Sequence, residues 1–290
     1  MRSSRALTLA LVLLAVLVVA LQVSAAAVDV DAQTCADPET CADAETRAYD
    51  EGEDDDEDED EDTAQRDRCA REEGSIPLVE AGELDAIFED MVDELSEEDE
   101  VEVTVLSKDP WVIYVDNFLS SEMVDALLEE AGDDFAPSKD ETKFCTGDCA
   151  ESKAVQDVQD RVAYLVGLDE EYMEFIQFVR YKKGQYYKKH HDTNSAYVNM
   201  PMGHRVMTVF MYLNTIEDGG ETSFPDLNLS VKPVRGRAVI WANVKSSNPD
   251  DRDLRTMHEA LPVTGDVVKV AANFWLYQYD YRSYWPECTG

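Results

Sequence analysis

The apolar residues of the chain follow a helical period in three segments of its first half. Between residues 84 and 95 they recur at positions i, i+3, i+4, i+7, i+8 and i+11, which predicts an amphipathic helix. A second helix begins at Ser120 or Ser121, since serine is a good N-cap, and a third covers residues 154–165. The predicted buried stripes are Leu84, Ile87, Phe88, Met91, Val92 and Leu95; Val124, Leu127, Leu128 and Ala131; and Val155, Val158, Val162 and Leu165. We expect the first helix to dock on the folded core; a dimer or partner interface is the alternative.

Beyond Glu174 the pattern changes to strands rich in Val, Tyr, Phe and Trp, which are separated by Gly, Pro, Asn and Asp. The predicted strands cover residues 175–181, 186–192, 205–214, 237–244 and 267–279. Helices followed by antiparallel strands predict an α+β fold, a double-stranded β-helix or jelly-roll barrel with supporting helices on one side. The mouth of such a barrel is where we expect a ligand site.

Composition divides the chain into four parts. Residues 1–28 are a targeting segment, 29–79 a disordered acidic extension, 80–105 an amphipathic helical prelude and 106–286 a folded domain. The last part is long enough to bury an ample core. A chain of 290 residues therefore contains one folded domain, although its length alone would suggest two.

The first segment resembles a targeting signal because Arg2 and Arg5 precede an apolar run over residues 6–28. The small residues at 24–27 favour a cleaved signal peptide, whereas the length of the run also permits a single-pass membrane anchor. Both alternatives remain open. Either one places the folded domain in the secretory lumen, in the endoplasmic reticulum or the Golgi.

Acidic residues dominate the charge. All residues from Asp50 to Asp62 except Gly52 are acidic, and such a block stays extended and solvated. We interpret it as a solubilising linker; an electrostatic lure for basic peptides and a weak Ca²⁺ site are the alternatives. The net charge of −38 argues against nucleic acid as a partner.

Six cysteines agree with an oxidising compartment, because none lies in a Cys-x-x-Cys metal motif and an even number in an exported chain favours disulfides. They are Cys35, Cys41, Cys69, Cys145, Cys149 and Cys288. The local pair Cys145 and Cys149 is the first disulfide that we expect. Asn228 begins a glycosylation sequon, Asn-Leu-Ser.

Candidate chemistry begins in the strand that ends at residue 192. Side chains two apart share a face of a strand, so His190 and Asp192 both point inward while His191 points away. The chain contains four histidines, and His258 is the natural third ligand. Two histidines and one carboxylate on one side of an ion form the facial triad of non-haem Fe(II) oxygenases.

Lys269 lies within the apolar run 267–272, where an unpaired ammonium is costly and must either reach water or meet an anion. Its even spacing from Trp275 puts both side chains on one face of a strand. A buried cation and a large indole then line the same cavity, and a dicarboxylate co-substrate is one anion that would satisfy this lysine.

Seven motifs run in a fixed order through this part of the chain. They are Phe118-Leu119-Ser120; Glu174 with Gln177; Tyr181-x-x-Gly184-Gln185-x-Tyr187-x-x-His190-x-Asp192; Arg205-x-x-Thr208-x-x-x-Tyr212-Leu213-Asn214; Gly219-Gly220-Glu221-Thr222-x-Phe224-Pro225; Lys232-Pro233; and Arg255-x-x-His258-x-x-x-Pro262-Val263. With these motifs the chain from Pro110 to Asp280 resembles the 2-oxoglutarate- and Fe(II)-dependent prolyl 4-hydroxylases, especially the plant and algal type.

The resemblance implies a role for each matching residue. Iron is held by His190, Asp192 and His258, and the distal carboxylate of 2-oxoglutarate by Lys269, helped by Thr208 and Tyr181. Four residues match positions on the peptide side of the cavity: Tyr187, Arg205, Glu174 and Trp275. The implied activity is hydroxylation of peptidyl proline at C4 in secreted proline-rich or collagen-like chains, with O₂ consumed, succinate and CO₂ released, and ascorbate as a further cofactor.

Two departures from the family pattern stand out. The turn between His258 and Lys269 carries one extra residue; because the spacing from Lys269 to Trp275 is kept, we place the insertion at residues 264–266. The Arg-Thr-Ser segment of many relatives is missing, and residues 140–149 replace it. This second departure affects substrate choice more than chemistry, and leaves another residue such as lysine as an alternative target.

Two rivals come from other classes. Zinc accepts the same three ligands with a water in the fourth position, but a zinc hydrolase leaves Lys269 unexplained and has no spare Glu beside His190 as general base. A secretory binding protein that keeps the barrel without turnover is the third alternative, and the intact ligand set argues against it.

Overall fold

The computed structural model of the chain describes residues 69–133, 135 and 141–288. The predicted targeting segment, the acidic run 50–62 and the cysteines Cys35 and Cys41 lie outside these residues. Within the described ranges, no helix combines the length and the apolar composition needed to cross a membrane.

Three α-helices occur in the described part of the chain, and all three were predicted. They are α1 (Leu84–Glu97), α2 (Ser121–Ala131) and α3 (Lys153–Val166). The side chain of Ser120 caps α2 by accepting a hydrogen bond from the amide of Met123. Each helix buries the stripe that its apolar period indicated, including Phe88, Val124 and Val158.

The strands form one large antiparallel sheet and one smaller sheet. The large sheet has the order β1 (Glu102–Lys108), β2 (Trp111–Asp116), β9 (Ala238–Ala242), β6 (Arg205–Tyr212), β13 (Lys269–Tyr277), β4 (Gln177–Tyr181) and β3 (Glu141–Phe144). The smaller one has the order β5 (Tyr187–His190), β12 (His258–Ala260), β7 (Thr222–Phe224) and β8 (Leu229–Val231). A separate hairpin joins β10 (Val244–Lys245) to β11 (Asn248–Arg252).

The central strands β9, β6 and β13 of the large sheet are buried on both faces, which explains their nearly continuous apolar runs. Along β6, Val209 and Met211 pack with the helices in the main core. The intervening Phe210 and Tyr212 pack towards the small sheet in a second core. This is the predicted double-stranded β-helix, with supporting helices on one face.

The domain boundaries differ from those expected in two places. Residues 69–79, which the composition placed in the acidic extension, contact the end of the large sheet: the amide of Leu78 donates to the carbonyl of Gln278. Strand β1 begins at Glu102, inside the predicted helical prelude, because it pairs with β2 as the edge of the sheet. The folded domain thus starts well before residue 106.

Two disulfides occur in the described residues. Cys145–Cys149 is the predicted local pair. Cys69–Cys288 joins residues 219 positions apart and was not predicted. The sequon residue Asn228 lies in a left-handed turn after Pro225 and is exposed.

Candidate active site

Pairing of two strands of the small sheet brings the three predicted metal ligands together. Strand β12 runs antiparallel to β5, and His258 lies directly opposite His190. One ligand atom from each of His190, Asp192 and His258 lies within 4.8 Å of the others. Both imidazole Nε2 atoms are 3.5 Å from Oδ1 of Asp192.

Backbone carbonyls fix the orientation of both imidazoles. Nδ1 of His190 donates to the carbonyl of Lys188 at 2.8 Å, and Nδ1 of His258 donates to the carbonyl of Thr256 at 3.1 Å. With the proton on Nδ1, each Nε2 presents its lone pair to the cluster. Burial also lowers the pKa of His258 to about 4, so this ligand is neutral near pH 7.

A chain of hydrogen bonds holds the carboxylate of Asp192. Nε1 of Trp241 donates to Oδ1 of Asn243, whose Nδ2 donates to Oγ1 of Thr208 at 2.8 Å. Thr208 in turn donates to Oδ2 of Asp192 at 2.5 Å. Burial alone would raise the pKa of Asp192, but the adjacent His258, His190 and this hydroxyl outweigh burial and hold its pKa below the ordinary value.

The resemblance implied a different role for Thr208. The resemblance placed its hydroxyl on the co-substrate carboxylate, whereas the structure uses it to position a metal ligand. Asn243 was missed altogether, although a fully buried amide in the apolar run 238–244 was a signal for it.

His191 engages other partners, in agreement with the predicted alternation. Its Nδ1 accepts from the amide of Thr193, and its Nε2 donates to the carbonyl of Asp253. Burial lowers its pKa, and none of its atoms belongs to the ligand cluster.

The donor set fits iron. Two neutral imidazole nitrogens and one carboxylate oxygen are the ligands of facial-triad Fe(II) sites. The carbonyls of Lys188 and Thr256 accept from the other ring nitrogens and fix the imidazoles, as metal-binding histidines require. The cluster opens into a cavity of about 460 Å³. This cavity is lined by residues of both sheets, among them Tyr181, Phe210, Thr222, Trp241 and Trp275.

Lys269 is fully buried next to two residues that line this cavity, Tyr181 and Phe210. Its Nζ donates to the carbonyl of Gly220 at 2.7 Å and lies 5.3 Å from the ring centroids of Tyr181, Phe210 and Tyr212. Burial lowers its pKa to about 7. An ammonium in such surroundings is strongly stabilised by any anion that reaches it.

The extra residue before Lys269 does not disturb the strand. Lys269 pairs with Tyr181 and Trp275 with Thr208, without a register shift between them. The insertion therefore lies before the strand, as expected. Arg255 is no substitute anchor, because its guanidinium binds Asp253 and Asp109 outside the cavity.

The sequence reasoning gave no role to Thr222, which lies near Lys269. Its hydroxyl accepts a hydrogen bond of 2.7 Å from the phenol of Tyr212, and the residue lines the cavity. Burial raises the pKa of Tyr212, so the phenol is a neutral donor. Thr222 is thus a polar cavity residue that is joined to Tyr212, one of the three rings around the buried ammonium.

Of the four residues predicted for the peptide side, three line the cavity: Tyr187, Arg205 and Trp275. Glu174 lies behind them, and its Oε2 accepts from Nη2 of Arg205 at 2.7 Å. The guanidinium lies flat over the Trp275 ring at 3.9 Å and donates through Nη1 to the carbonyl of Asp192. Burial opposes the charge on Arg205, but Glu174 outweighs it and raises the pKa of the guanidinium.

Comparison with known proteins agrees with this geometry. The 2OG-Fe(II) oxygenase superfamily matches residues 176–277, which include the four residues His190, Asp192, His258 and Lys269. Human prolyl 4-hydroxylase subunit alpha-3 is 40% identical over 126 residues, 41% of this chain and 22% of that protein. The chain therefore spans only about a fifth of that relative.

Two further matches cover more of their length. Prolyl 4-hydroxylase 13 of Arabidopsis thaliana is 28% identical over 188 residues, 54% of this chain and 68% of that protein. The crystal structure of a viral collagen prolyl hydroxylase from Paramecium bursaria Chlorella virus-1, in its 2OG complex, is 26% identical with a TM-score of 0.50. The match covers 58% of this chain and 96% of that one.

Proposed function

We propose that the chain is a 2OG-Fe(II) oxygenase of the prolyl 4-hydroxylase family and that it hydroxylates peptidyl proline at C4. The reaction consumes O₂ and 2-oxoglutarate and releases succinate and CO₂. The observation that carries this proposal is that the His190, Asp192 and His258 cluster opens into a cavity whose lining includes Tyr181 and Phe210. The rings of these two residues also surround the buried ammonium of Lys269.

The chain's own residues hold the reactants in place. His190 and His258 offer their Nε2 atoms to Fe(II), and Thr208 keeps the Asp192 carboxylate turned towards the same point. Bound Fe(II) supplies the oxidising chemistry. Asp192, His258 and Trp241 are all buried and limit the access of water to that point, while His190 is partly exposed to the cavity.

Lys269 is the anchor for the distal carboxylate of 2-oxoglutarate in this proposal. A carboxylate beside its Nζ would satisfy the charge that burial now disfavours. Tyr181 and Thr222 line the path from the cavity to this lysine. The buried lysine also favours an oxygenase over a zinc hydrolase, because a zinc hydrolase needs no buried cation at this place.

Aromatic side chains near the opening favour an extended proline-rich peptide. Tyr187 is 39% exposed and its ring packs edge-on against His190, with centroids 4.3 Å apart. Nε1 of Trp275 is buried without an acceptor among the described residues, which makes it a donor for a peptide carbonyl. Polyproline II segments retain little conformational entropy to lose and dock well on such surfaces.

The same proposal places the enzyme in the lumen of the endoplasmic reticulum or Golgi, with ascorbate as a reducing cofactor. The two disulfides support an oxidising compartment. The apolar run 6–28 supports export, either as a cleaved signal or as a single-pass anchor.

Peptide hydroxylation tests the proposal directly. The purified chain is incubated with proline-rich and collagen-like peptides, Fe(II), 2-oxoglutarate and ascorbate, and fragmentation locates the added oxygen. We expect it at C4 of proline, in step with succinate. Oxidation at lysine or another residue alone would refute the substrate and keep the oxygenase. Anaerobic titration with Fe(II) and 2-oxoglutarate distinguishes the oxygenase from a zinc hydrolase. The oxygenase should give a weak visible charge-transfer band, and a zinc hydrolase should give none.

A further inference from the structure

A segment outside the family-matched region packs against a loop next to the active site and against the C-terminal segment. We call residues 69–79 the strap. Its first residue is joined to the C-terminal segment by the Cys69–Cys288 disulfide. Its other end is fixed to the strand end by two hydrogen bonds, from the Leu78 amide to the Gln278 carbonyl and from the Gln278 side chain to the Val79 carbonyl, both 2.7 Å long.

Arg71 connects the strap to a loop that borders the cavity. We call residues 193–203, between Asp192 and β6, the cavity loop. Arg71 Nε donates to the carbonyl of Pro201 at 2.9 Å, and its Nη2 donates to the carbonyls of Val198 and Met200 at 3.1 and 3.0 Å. The guanidinium carbon lies 3.8 Å from the ring centroid of Tyr279, which supports the cation from its other side.

The chemistry of this contact is specific to arginine. The cavity loop contains a short 3₁₀ helix, Tyr197–Asn199, and the carbonyls at the end of such a helix lack partners within it. A planar guanidinium supplies several donors in a rigid fork, so it fixes three carbonyls relative to one another, whereas an ammonium is a single flexible point. Arg71 therefore determines the shape of the loop as well as its position.

The loop transmits this position to the cavity through Tyr197. Its ring lines the cavity and stacks on Tyr277 at a centroid distance of 6.4 Å, and it lies 5.7 Å from the guanidinium carbon of Arg205. The metal ligand Asp192 has its own supports, from Thr208 to its carboxylate and from Arg205 to its carbonyl. Loss of the Arg71 contact thus displaces the Tyr197 wall and spares the ligand cluster.

We propose that Arg71 is a positioning residue for the peptide side of the cavity, and that the Cys69–Cys288 disulfide keeps it in place. The inference rests on the proposed peptide substrate. Removing Arg71 weakens the apparent affinity for peptide and leaves the affinity for 2-oxoglutarate unchanged. The reason is that the residues around Lys269, which are Gly220, Tyr181, Phe210 and Tyr212, belong to neither the strap nor the cavity loop.

Hydrogen exchange in the full chain tests the contact without any substrate. Arg71→Ala should speed exchange of the cavity-loop amides about tenfold, equivalent to about 1.4 kcal/mol, while amides of β9 keep their rates. In Arg71→Lys, the exchange rates of the cavity-loop amides should lie between those of wild type and Arg71→Ala. Arg235→Ala is the matched control, since Arg235 also donates to carbonyls, those of Leu213 and Ser121, away from the cavity. Unchanged exchange in the loop of Arg71→Ala would overturn the proposal.

Kinetics test the consequence. The same Arg71→Ala variant should raise KM for a proline-rich peptide about tenfold, with KM for 2-oxoglutarate and the Fe(II) affinity unchanged and Arg235→Ala like wild type. Equal increases in both KM values would show a general structural defect and refute the positioning role. If the wild-type chain hydroxylates no peptide, the proposed function is wrong. Hydrogen exchange then still tests whether Arg71 fixes the cavity loop.

A separate double variant tests the role of the Cys69–Cys288 disulfide. Cys69→Ser together with Cys288→Ser releases the strap and leaves Cys145–Cys149 intact, which a chemical reductant would not. Exchange should rise in both the strap and the cavity loop. A rise in the strap alone would show that Arg71 holds the loop without help from the disulfide, and would overturn that part of the proposal.

Discussion

Thr208 donates a hydrogen bond of 2.5 Å to Oδ2 of Asp192, and it receives one from Asn243 in turn. The hydroxyl lies in the middle strand of the large sheet, and the carboxylate lies just after an edge strand of the small sheet. The contact therefore joins the two halves of the barrel at the metal site.

Replacing Thr208 should weaken metal binding first. Thr208→Val removes the hydroxyl at nearly constant shape, and loss of such an outer partner typically lowers metal affinity by about 10- to 100-fold. Thr208→Ser keeps the hydroxyl and should bind Fe(II) as wild type does. Anaerobic Fe(II) titration measures this. An increase in KM for 2-oxoglutarate with unchanged Fe(II) affinity would support the role that the resemblance implied instead.

Replacement of His190 and replacement of its neighbour His191 should have very different effects on turnover. His190→Ala, Asp192→Ala and His258→Ala should each abolish turnover, because each removes one of the three ligands. His191→Gln should retain most activity, since an amide can still donate to the carbonyl of Asp253. Succinate release and metal content are the readouts. If His191→Gln loses its metal as completely as His190→Ala does, the ligand assignment is wrong.

Lys269 should control co-substrate binding. Lys269→Ala removes the counter-charge of a buried carboxylate, a loss of about 3–5 kcal/mol for a broken buried pair, so KM for 2-oxoglutarate should rise strongly. Lys269→Arg should restore only part of the affinity, because a planar fork does not replace a compact ammonium. Fe(II) affinity in the absence of 2-oxoglutarate should stay unchanged in both. A 2-oxoglutarate dependence like that of wild type in Lys269→Ala would refute the anchor.

The same lysine should make 2-oxoglutarate binding depend on pH. Its pKa is lowered to about 7 by burial, so below that pH the ammonium is already formed. Above it, binding must take up a proton, and Kd should rise by up to about tenfold per pH unit. Because burial lowers the pKa of His258 to about 4, that ligand stays neutral throughout this range.

Anaerobic titrations between about pH 6.5 and about pH 8.5 measure this slope. Lys269→Arg provides the control, since a guanidinium does not titrate in this range and its slope should be nearly flat. A wild-type Kd that is independent of pH would show that the lysine remains charged without its co-substrate.

Gly219 should be hard to replace. Its φ is +78°, and an added Cβ would lie 2.2 Å from the carbonyl oxygen of Pro262. Gly184 has nearly the same φ, +79°, with open space around its Cβ position. Gly184→Ala should therefore lose about 1–2 kcal/mol from backbone strain alone, and Gly219→Ala clearly more. Chemical denaturation of both variants measures the difference; equal losses would mean that the backbone relaxes away from the clash.

Local patterns in the sequence determined most of the secondary structure and half of the site. The strand period placed His190 and Asp192 on one side and His191 on the other, because alternation along a strand needs no knowledge of its neighbours. The apolar surroundings of Lys269 predicted its burial, and a separation of four residues predicted the disulfide of Cys145 with Cys149. The order of motifs added His258 through the family resemblance.

Contacts between distant segments were decided only by the tertiary structure. The hydroxyl of Thr208 meets Asp192 because β6 lies between β9 and β13, facing the small sheet, and nothing near Thr208 in the sequence encodes that neighbour. Likewise, Cys69 meets Cys288 and Arg71 meets the cavity loop only once the two chain ends pack together. Periodicity fixes which face a side chain occupies, whereas its partner depends on which strands and termini the folded core brings side by side.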